Sequence, residues 1–393
     1  MSTNTFAPIT STATSRKAFS GLARHSKITV IGAGAFGGWA SLYLLRSEFK
    51  VTLVDAWGAG NSRSSSGDET RVIRSTYGAN ETYFDMNVRA LELWKENQER
   101  FGKKLFFNNG VIWLCYDEKT PLVDDSIPFT QQHKMEYEYL NLAELKKRYP
   151  VIYAEDLHHA WLDSYGGYLK ARESCQAVQE AFLNEGGTFV QAYVKPGKIS
   201  SEQLHYVELS SGEKLESDAY LFACGPWMGH LFPEVLHKTI TCTKQEAYYF
   251  GVPQHLAQQF DNLPAWVDVD GKDFYYGIPG NANRGFKIGV DRRGEDFNPT
   301  TGDRVINPDV LRAARKFIDH RFPALKNAPL VENRVCPYEN SVDGNFIFDL
   351  HPEANNVWFL GGGSGHGFKH GPALGEKVAH ILLGKSTNPF HQG

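Results

Sequence analysis

Cysteine is scarce in this chain and follows no pattern. Its 393 residues hold five, Cys115, Cys175, Cys224, Cys242 and Cys336, with no C-x-x-C pair and no His-rich spacing around them. That disfavours a structural zinc site and a disulfide framework alike, and it suits a reducing compartment. Long apolar runs are also missing. The longest, such as Ala219 to Ala223 and Val357 to Leu360, are strand-sized, so nothing spans a bilayer. No charge of one sign dominates, and a formal net charge of −4 gives no electrostatic reason to expect nucleic acid or an anionic membrane as partner. Residues 1–26 contain no acid at all, only Arg16, Lys17, Arg24 and His25 among Ser, Thr and Ala. They have no apolar h-region, so secretion is not expected. The segment reads as a disordered tail, with an organellar transit peptide as the alternative. The expected location is accordingly cytoplasmic, or organellar if a transit peptide is present. No internal repeat is visible.

What the chain does have is an ordinary globular balance, 41% hydrophobic and 22% charged residues. Its length exceeds the size at which one core usually keeps growing, so two domains are expected.

The most informative stretch runs from Ile28 to Asp55. An apolar run stops at Gly32, Gly34 and Gly37, spaced G-x-G-x-x-G with Ala35 and Phe36 between; an amphipathic segment follows, then a β-branched run ending in Asp55. This predicts strand, tight turn, helix and strand. Gly32 permits the turn, Gly34 lets the main chain approach a pyrophosphate, Gly37 lets the helix pack on its strand, and the helix start offers free N–H groups to phosphate charge. Asp55 stands where a carboxylate accepts bonds from ribose hydroxyls, which argues against a 2′-phosphate. A dinucleotide is implied, and its kind is left open.

A long Gly/Ser loop, Trp57 to Arg71, comes next, and loops of that length are usually functional or disordered. Arg71 and Arg74, three apart, read as two cations on one helical face. Helices are expected from about Tyr83 to Phe101, Leu140 to Tyr149, Ala171 to Gly186 and Asp309 to Phe322, with a last one ending near Leu383. Strands are expected at Gly110 to Leu114, from Gly187, around Leu204 to Leu209 and at Ala219 to Ala223. The last stops at Cys224, Gly225 and Trp227, again a glycine before a helix. Residues 240–290 alternate apolar and polar in short runs, which reads as an antiparallel sheet with one face buried. The fold class expected is thus α/β (α+β), with a Rossmann-like domain assembled from residues 27–107, 168–235 and 335–393 and a substrate domain from 108–167 and 236–334.

Five segments in combination carry a resemblance: the glycine turn, Gly67 to Gly78 (GDETRVIRSTYG), Cys336-Pro337-Tyr338, Asp349 to Pro352, and Gly363 to Lys369 (GSGHGFK). Together the chain resembles, from about Lys27 to Lys385, the monomeric sarcosine oxidase group of the D-amino-acid-oxidase-like FAD oxidoreductases. Pipecolate oxidase, N-methyltryptophan oxidase and the fructosyl-amino-acid oxidases lie beside it.

The resemblance implies an extended FAD, its adenosine end on the first strand–helix–strand unit and its ring between two domains. Ser64, Val194, Gly225, Trp227, Gly365, Gly367 and Phe368 join the glycine turn and Asp55 as implied cofactor contacts. Thr70 and Arg71 would border the flavin, and Cys336 would carry it as an 8α-S-cysteinyl link. Arg74 and Lys369 would pair with a substrate carboxylate, with Tyr276, Tyr338 and His366 lining the pocket, and Lys369 also counts among the cofactor contacts. Lys287 would serve oxygen through a water. The helix after Gly367 would aim its positive end at the flavin N1–C2 region. Where many members carry a His four residues after Lys287, this chain has Asp291, which reverses the local charge and is expected to shape specificity. It could pair with Lys287 or Arg74, hold a cationic amine, or bind a substrate hydroxyl or ring nitrogen.

The activity implied is oxidation of a carboxylate-bearing secondary amine or cyclic imino acid to an imine, with oxygen reduced to hydrogen peroxide. The alternatives are a flavin dehydrogenase or biosynthetic imino-acid oxidase with another acceptor or a specialised substrate, and, from a different class, a non-catalytic flavin-binding subunit. The partners expected are the small-molecule substrate and oxygen, and the chain is expected to be a monomer or weak oligomer. No metal is expected.

Overall fold

A computed structural model describes residues 19–269, 274–280 and 282–385. Residues 1–18 of the expected tail lie outside that range. The first strand, Lys27–Ile31, is apolar and β-branched, and it lies between Ala219–Phe222 and Lys50–Asp55, parallel to both. With Thr188–Gln191 beyond the second and Val357–Gly361 beyond the first, it forms a parallel sheet, closed on one edge by antiparallel Ile347–Leu350. The near-continuous burial of these strands is what a parallel sheet covered on both faces requires.

Helix Ala35–Arg46 is covered almost all round, because it lies between the sheet and helices Ala171–Asn184 and Gly371–Leu382. Glycines make that closeness possible: a Cβ at Gly375 would stand 2.7 Å from the Trp39 carbonyl carbon. Trp39, Trp94, Phe84 and Phe182 fill the core beside it.

An eight-stranded sheet forms the second layer, in the order Leu330–Ser341, Ile240–Phe250, Phe286–Val290, Phe274–Ile278, Ala265–Val269, Val111–Cys115, His159–Asp163, Tyr137–Leu140. It is antiparallel throughout except where Ala265–Val269 runs parallel to Val111–Cys115. Helix Pro308–Arg321 closes one face over Trp266, Phe286 and Phe322. Strand Leu330–Ser341 contains residue 335, where the sequence places a domain boundary, so Cys336 and Tyr338 ride on the large sheet.

Three local expectations need correction. Thr70–Ile73 is a strand paired with Gly167–Lys170, so Arg71 and Arg74 are not on one helical face. Alternation along an extended chain sends residues three apart to opposite sides. The region Leu204 to Leu209 is two short strands, Gln203–Leu204 and Val207–Leu209, in different sheets. After Gly367 the chain makes a 3₁₀ turn, Phe368–His370, before helix Gly371–Leu382 begins.

Candidate active site and cofactor cleft

At the carboxyl ends of the parallel strands a cleft opens between the two layers. Gly32, with φ of 109°, makes the turn, and a Cβ there would meet the Ala223 carbonyl oxygen at 2.3 Å. A Cβ at Gly37 would stand 1.9 Å from the Gly32 carbonyl oxygen, so this glycine packs helix on strand and does not face the cleft. Gly34, Ala35 and Phe36 do face it. The helix starts with Gly34 as N-cap, without a side-chain cap and without an acid in its first turn. Only the Ala35 N–H is met by a side chain, the Ser66 hydroxyl at 3.1 Å. A glycine cradle ending in an uncapped helix start fits a pyrophosphate.

Asp55 borders the cleft with both carboxylate oxygens engaged: Ala33 N–H donates to Oδ2, and Trp57 and Gly58 N–H donate to Oδ1, each at 2.8 Å. Burial raises its pKa, and those three donors oppose the rise. The carboxylate thus fixes the turn as well as lining the cleft. Trp57 packs on Trp227 and Tyr193, ring centroids 4.9 and 5.3 Å apart, and with Val194 and Gly225 they frame this end. Ser64, Gly363, Gly365, Gly367 and Phe368 line the middle, and Arg71 and Tyr338 the far end.

Behind Arg71 lies a group whose key member sequence reasoning passed over. Asp68, 2% exposed, is ion-paired to Lys287, accepts from Arg71 Nη1 at 2.7 Å and from the Tyr249 hydroxyl at 2.7 Å. Lys287 Nζ also donates to the Thr70 carbonyl at 2.8 Å. Burial opposes the Asp68 charge, but two cations and two donors outweigh it and hold the carboxyl well below the usual range. For Arg71 burial is again the largest single effect, yet Asp68 together with Cys336, Tyr276 and Tyr338 outweighs it and the pKa rises. Lys287 goes the other way, because burial and Arg71 together exceed the pull of Asp68. One carboxylate shared by two cations leaves a net positive charge, and the lysine is the cation whose proton is loosened.

Cys336, 8% exposed, sits against this cluster. Burial and then Asp68 push its thiol up, while Arg71 and Lys287 pull it down.

A second recess adjoins the cleft where Tyr338 and Gly365 stand. Tyr338 and Gly365 line the cleft and also flank Asp291: a Cβ at Gly365 would lie 2.6 Å from the Tyr338 ring and 3.1 Å from Asp291 Oδ1. Arg74 and Lys369 converge here across Tyr77, the guanidinium 4.7 Å and the ammonium 4.9 Å from its ring centroid. Arg74 also lies over Trp113 at 5.3 Å. The Tyr77 hydroxyl lies 2.7 Å from His370 Nε2 and 3.1 Å from His366 Nδ1. His366 Nε2 is 3.0 Å from the Gly344 carbonyl, and Lys369 Nζ donates to the His366 carbonyl at 2.8 Å. With both ring nitrogens engaged, His366 supports Tyr77 and Lys369 rather than offering a free nitrogen to the recess. Burial and Lys369 push its imidazole down to about 3, so it stays neutral.

Asp291 is exposed to the recess, and among the described residues no side chain donates to its carboxylate or pairs with it within salt-bridge range. Surrounding protein raises its pKa, and Arg74 and Lys369 restrain the rise. Lys287 is already committed to Asp68, so Asp291 does not pair with it. Tyr276 reaches the same region, its hydroxyl pushed up to about 12 by burial. Asp68 stands in the Gly67 to Gly78 segment, in a bend just before strand Thr70–Ile73, and only the folded chain gives it a partner 219 residues away.

The chain is 26% identical over 370 residues to monomeric sarcosine oxidase of Bacillus sp. (strain B-0618), covering 93% of this chain and 94% of that one. It is 26% identical over 367 residues to N-methyl-L-tryptophan oxidase of Yersinia pestis (strain Pestoides F), covering 92% and 95%. Among solved structures, L-proline dehydrogenase from P. horikoshii superposes with a TM-score of 0.80 at 23% identity, covering 94% of this chain and 96% of that one. A model of the FAD dependent oxidoreductase family (DAO) matches residues 27–381, with the glycine cradle, the Asp68 cluster and the recess all inside the match, and the chain belongs to that family.

Proposed function

We propose that the protein is an FAD-dependent amine oxidase acting on a carboxylate-bearing secondary amine or cyclic imino acid. The observation that carries this reading is the convergence of Arg74 and Lys369 on one recess that shares Tyr338 and Gly365 with the cofactor cleft. Bound FAD supplies the two-electron acceptor that converts the amine to an imine and passes the electrons to oxygen as hydrogen peroxide. The protein does the rest. Arg74 offers a planar fork and Lys369 a point charge to one carboxylate, which fixes the carbon next to nitrogen against the ring end. Asp291, unpaired and facing the same space, takes a second donor on the substrate, a hydroxyl or a ring or amine nitrogen.

Lys287, held by Asp68 and the Thr70 carbonyl, supplies a fixed cation for the negative charge that develops on oxygen. That favours an oxidase over a dehydrogenase that passes electrons to another carrier. Cys336, beside Arg71, is the proposed attachment point of the flavin. The two separate sheets support a division into a cofactor part (27–107, 168–235, 335–393) and a substrate part (108–167, 236–334), although residues 335–341 pair within the larger sheet. Among the described residues no helix is long and apolar enough to cross a membrane. The proposed location is the cytoplasm, or an organelle if residues 1–26 are a transit peptide, and the proposed state is a monomer or weak oligomer.

The test is a peroxide-coupled screen over N-methyl amino acids, cyclic imino acids, D-amino acids and glycated amino acids. Turnover of a member of the first two classes is expected. Turnover confined to primary amines would overturn the reading.

A further inference from the structure

Two lysines are buried among the described residues, and they differ in what surrounds the charge. Lys287, 1% exposed, is ion-paired to Asp68 and has the Thr70 carbonyl as a second acceptor. Lys369, 3% exposed, has neither: Nζ donates to the His366 carbonyl at 2.8 Å, and among the described residues no acid lies within salt-bridge range of it. A like charge faces it instead. The Arg74 guanidinium stands over the same Tyr77 ring, 4.7 Å from the centroid against 4.9 Å for Nζ. Helix Glu81–Phe101 adds Tyr83, stacked on Tyr77, and Trp94, which donates to the Lys369 carbonyl. His366 and His370 on its own turn are held neutral by burial, and burial likewise keeps the Tyr77 and Tyr83 hydroxyls protonated. Asp291, beyond salt-bridge range, is the acid that acts on Lys369.

A buried ammonium without a counter-charge gives up its proton. Burial, and then Arg74, accordingly push Lys369 well below the ordinary lysine value, with Asp291 acting against them. A substrate carboxylate placed between Arg74 and Lys369 would supply the counter-charge that Asp68 gives Lys287. The substrate also carries a proton to dispose of, because an amino acid with a secondary amine enters as a zwitterion and only the neutral amine can give up electrons. We propose that Lys369 is the base that receives this proton: one N–H bond of the substrate ammonium breaks, one N–H bond forms at Nζ, and no proton is exchanged with solvent. The recess then holds a neutral amine whose carboxylate lies between two cations. This deepens the oxidase reading and rests on the recess being a carboxylate site. It also lowers the pH at which the bound amine becomes neutral.

The test titrates the FAD-loaded full chain calorimetrically at neutral pH, in buffers of different ionisation enthalpy, which counts the protons taken up on binding. Cyclohexanecarboxylate has no amine and must draw its proton from solvent, so an uptake of about one per site is expected. Its affinity should fall about tenfold for each unit of rising pH. The amino acid 1-aminocyclohexanecarboxylate brings its own proton and has no hydrogen on the carbon next to nitrogen, so it should bind unoxidised and with almost no uptake. Lys369→Arg carries a permanent charge and should bind cyclohexanecarboxylate without uptake and with a flat pH profile. Asp291→Asn, which removes the rival acceptor, should keep the uptake. Retained flavin absorbance shows that each variant is folded and loaded. Binding without uptake in the parent, uptake that persists in Lys369→Arg or vanishes in Asp291→Asn, or equal uptake with both ligands would overturn this proposal alone. Absence of binding by either carboxylate would overturn it together with the carboxylate reading of the recess.

Discussion

Asp68 determines what Lys287 and Arg71 can do, because a buried cation is tolerated only beside a fixed counter-charge. Replacing it by Asn should lower stability by about 3–5 kcal/mol in denaturant titrations, the usual cost of leaving buried charge uncompensated. Adding Lys287→Met should return part of that loss; a strictly additive double variant would show that the pair is not coupled. On its own, Lys287→Met should slow reoxidation by oxygen roughly a hundredfold while anaerobic reduction by substrate changes far less. Equal losses in both half-reactions would count against the oxygen role. Arg74→Ala should weaken carboxylate inhibitors more than neutral ones, and an unchanged preference would remove Arg74 from the recess. Motifs singled out Arg71, Arg74, Cys336 and Lys369, and the structure brings Arg74 and Lys369 to one tyrosine ring and Arg71 beside Cys336. Asp68 and Tyr77 were not singled out, since their meaning comes from partners far away in sequence, Tyr249 for Asp68 and His366 for Tyr77.

At the scale of elements, the glycine turn was readable because its chemistry is local. Gly37→Ala should cost stability and flavin content together, as the added methyl meets the Gly32 carbonyl inside van der Waals distance. A variant that loaded FAD normally would show that the helix can shift without opening the cradle. The segment Thr70–Ile73 was misread as helical because spacing alone does not tell a short strand from a turn of helix, and only its pairing with Gly167–Lys170 decides. The Gly363 to His370 segment carries a pH consequence. An unfolded chain protonates His366 near about 6.5, whereas the folded state resists until about 3. The stability from keeping His366 neutral is therefore fully present above the unfolded value and is lost progressively as pH falls from there to the folded value of about 3. The melting temperature should drop more between pH 7 and pH 5 in the parent than in His366→Gln; equal drops would contradict this.

Across the whole molecule, the parallel layer carries the glycine cradle, and the antiparallel layer carries Lys287, Cys336 and Tyr338, with Asp291 just past strand Phe286–Val290. Composition and hydrophobic periodicity announced both layers, but not the crossing strand Leu330–Ser341, whose length appears only once its pairing with Ile240–Phe250 is formed. Covalent attachment is tested at this scale: the denatured protein should keep its yellow colour and the mass of one FAD, and Cys336→Ala should release it. The amine must lose its proton before it can give up electrons, so turnover should rise with pH until the bound amine is neutral. The most direct measurement mixes the flavin-loaded protein with N-methyl amino acids and cyclic imino acids under nitrogen, follows the flavin absorbance, and then admits air. We expect at least one such substrate to bleach the flavin and, on admission of air, to restore the colour with one hydrogen peroxide formed per flavin. No bleaching by any carboxylate-bearing secondary amine would contradict the assignment.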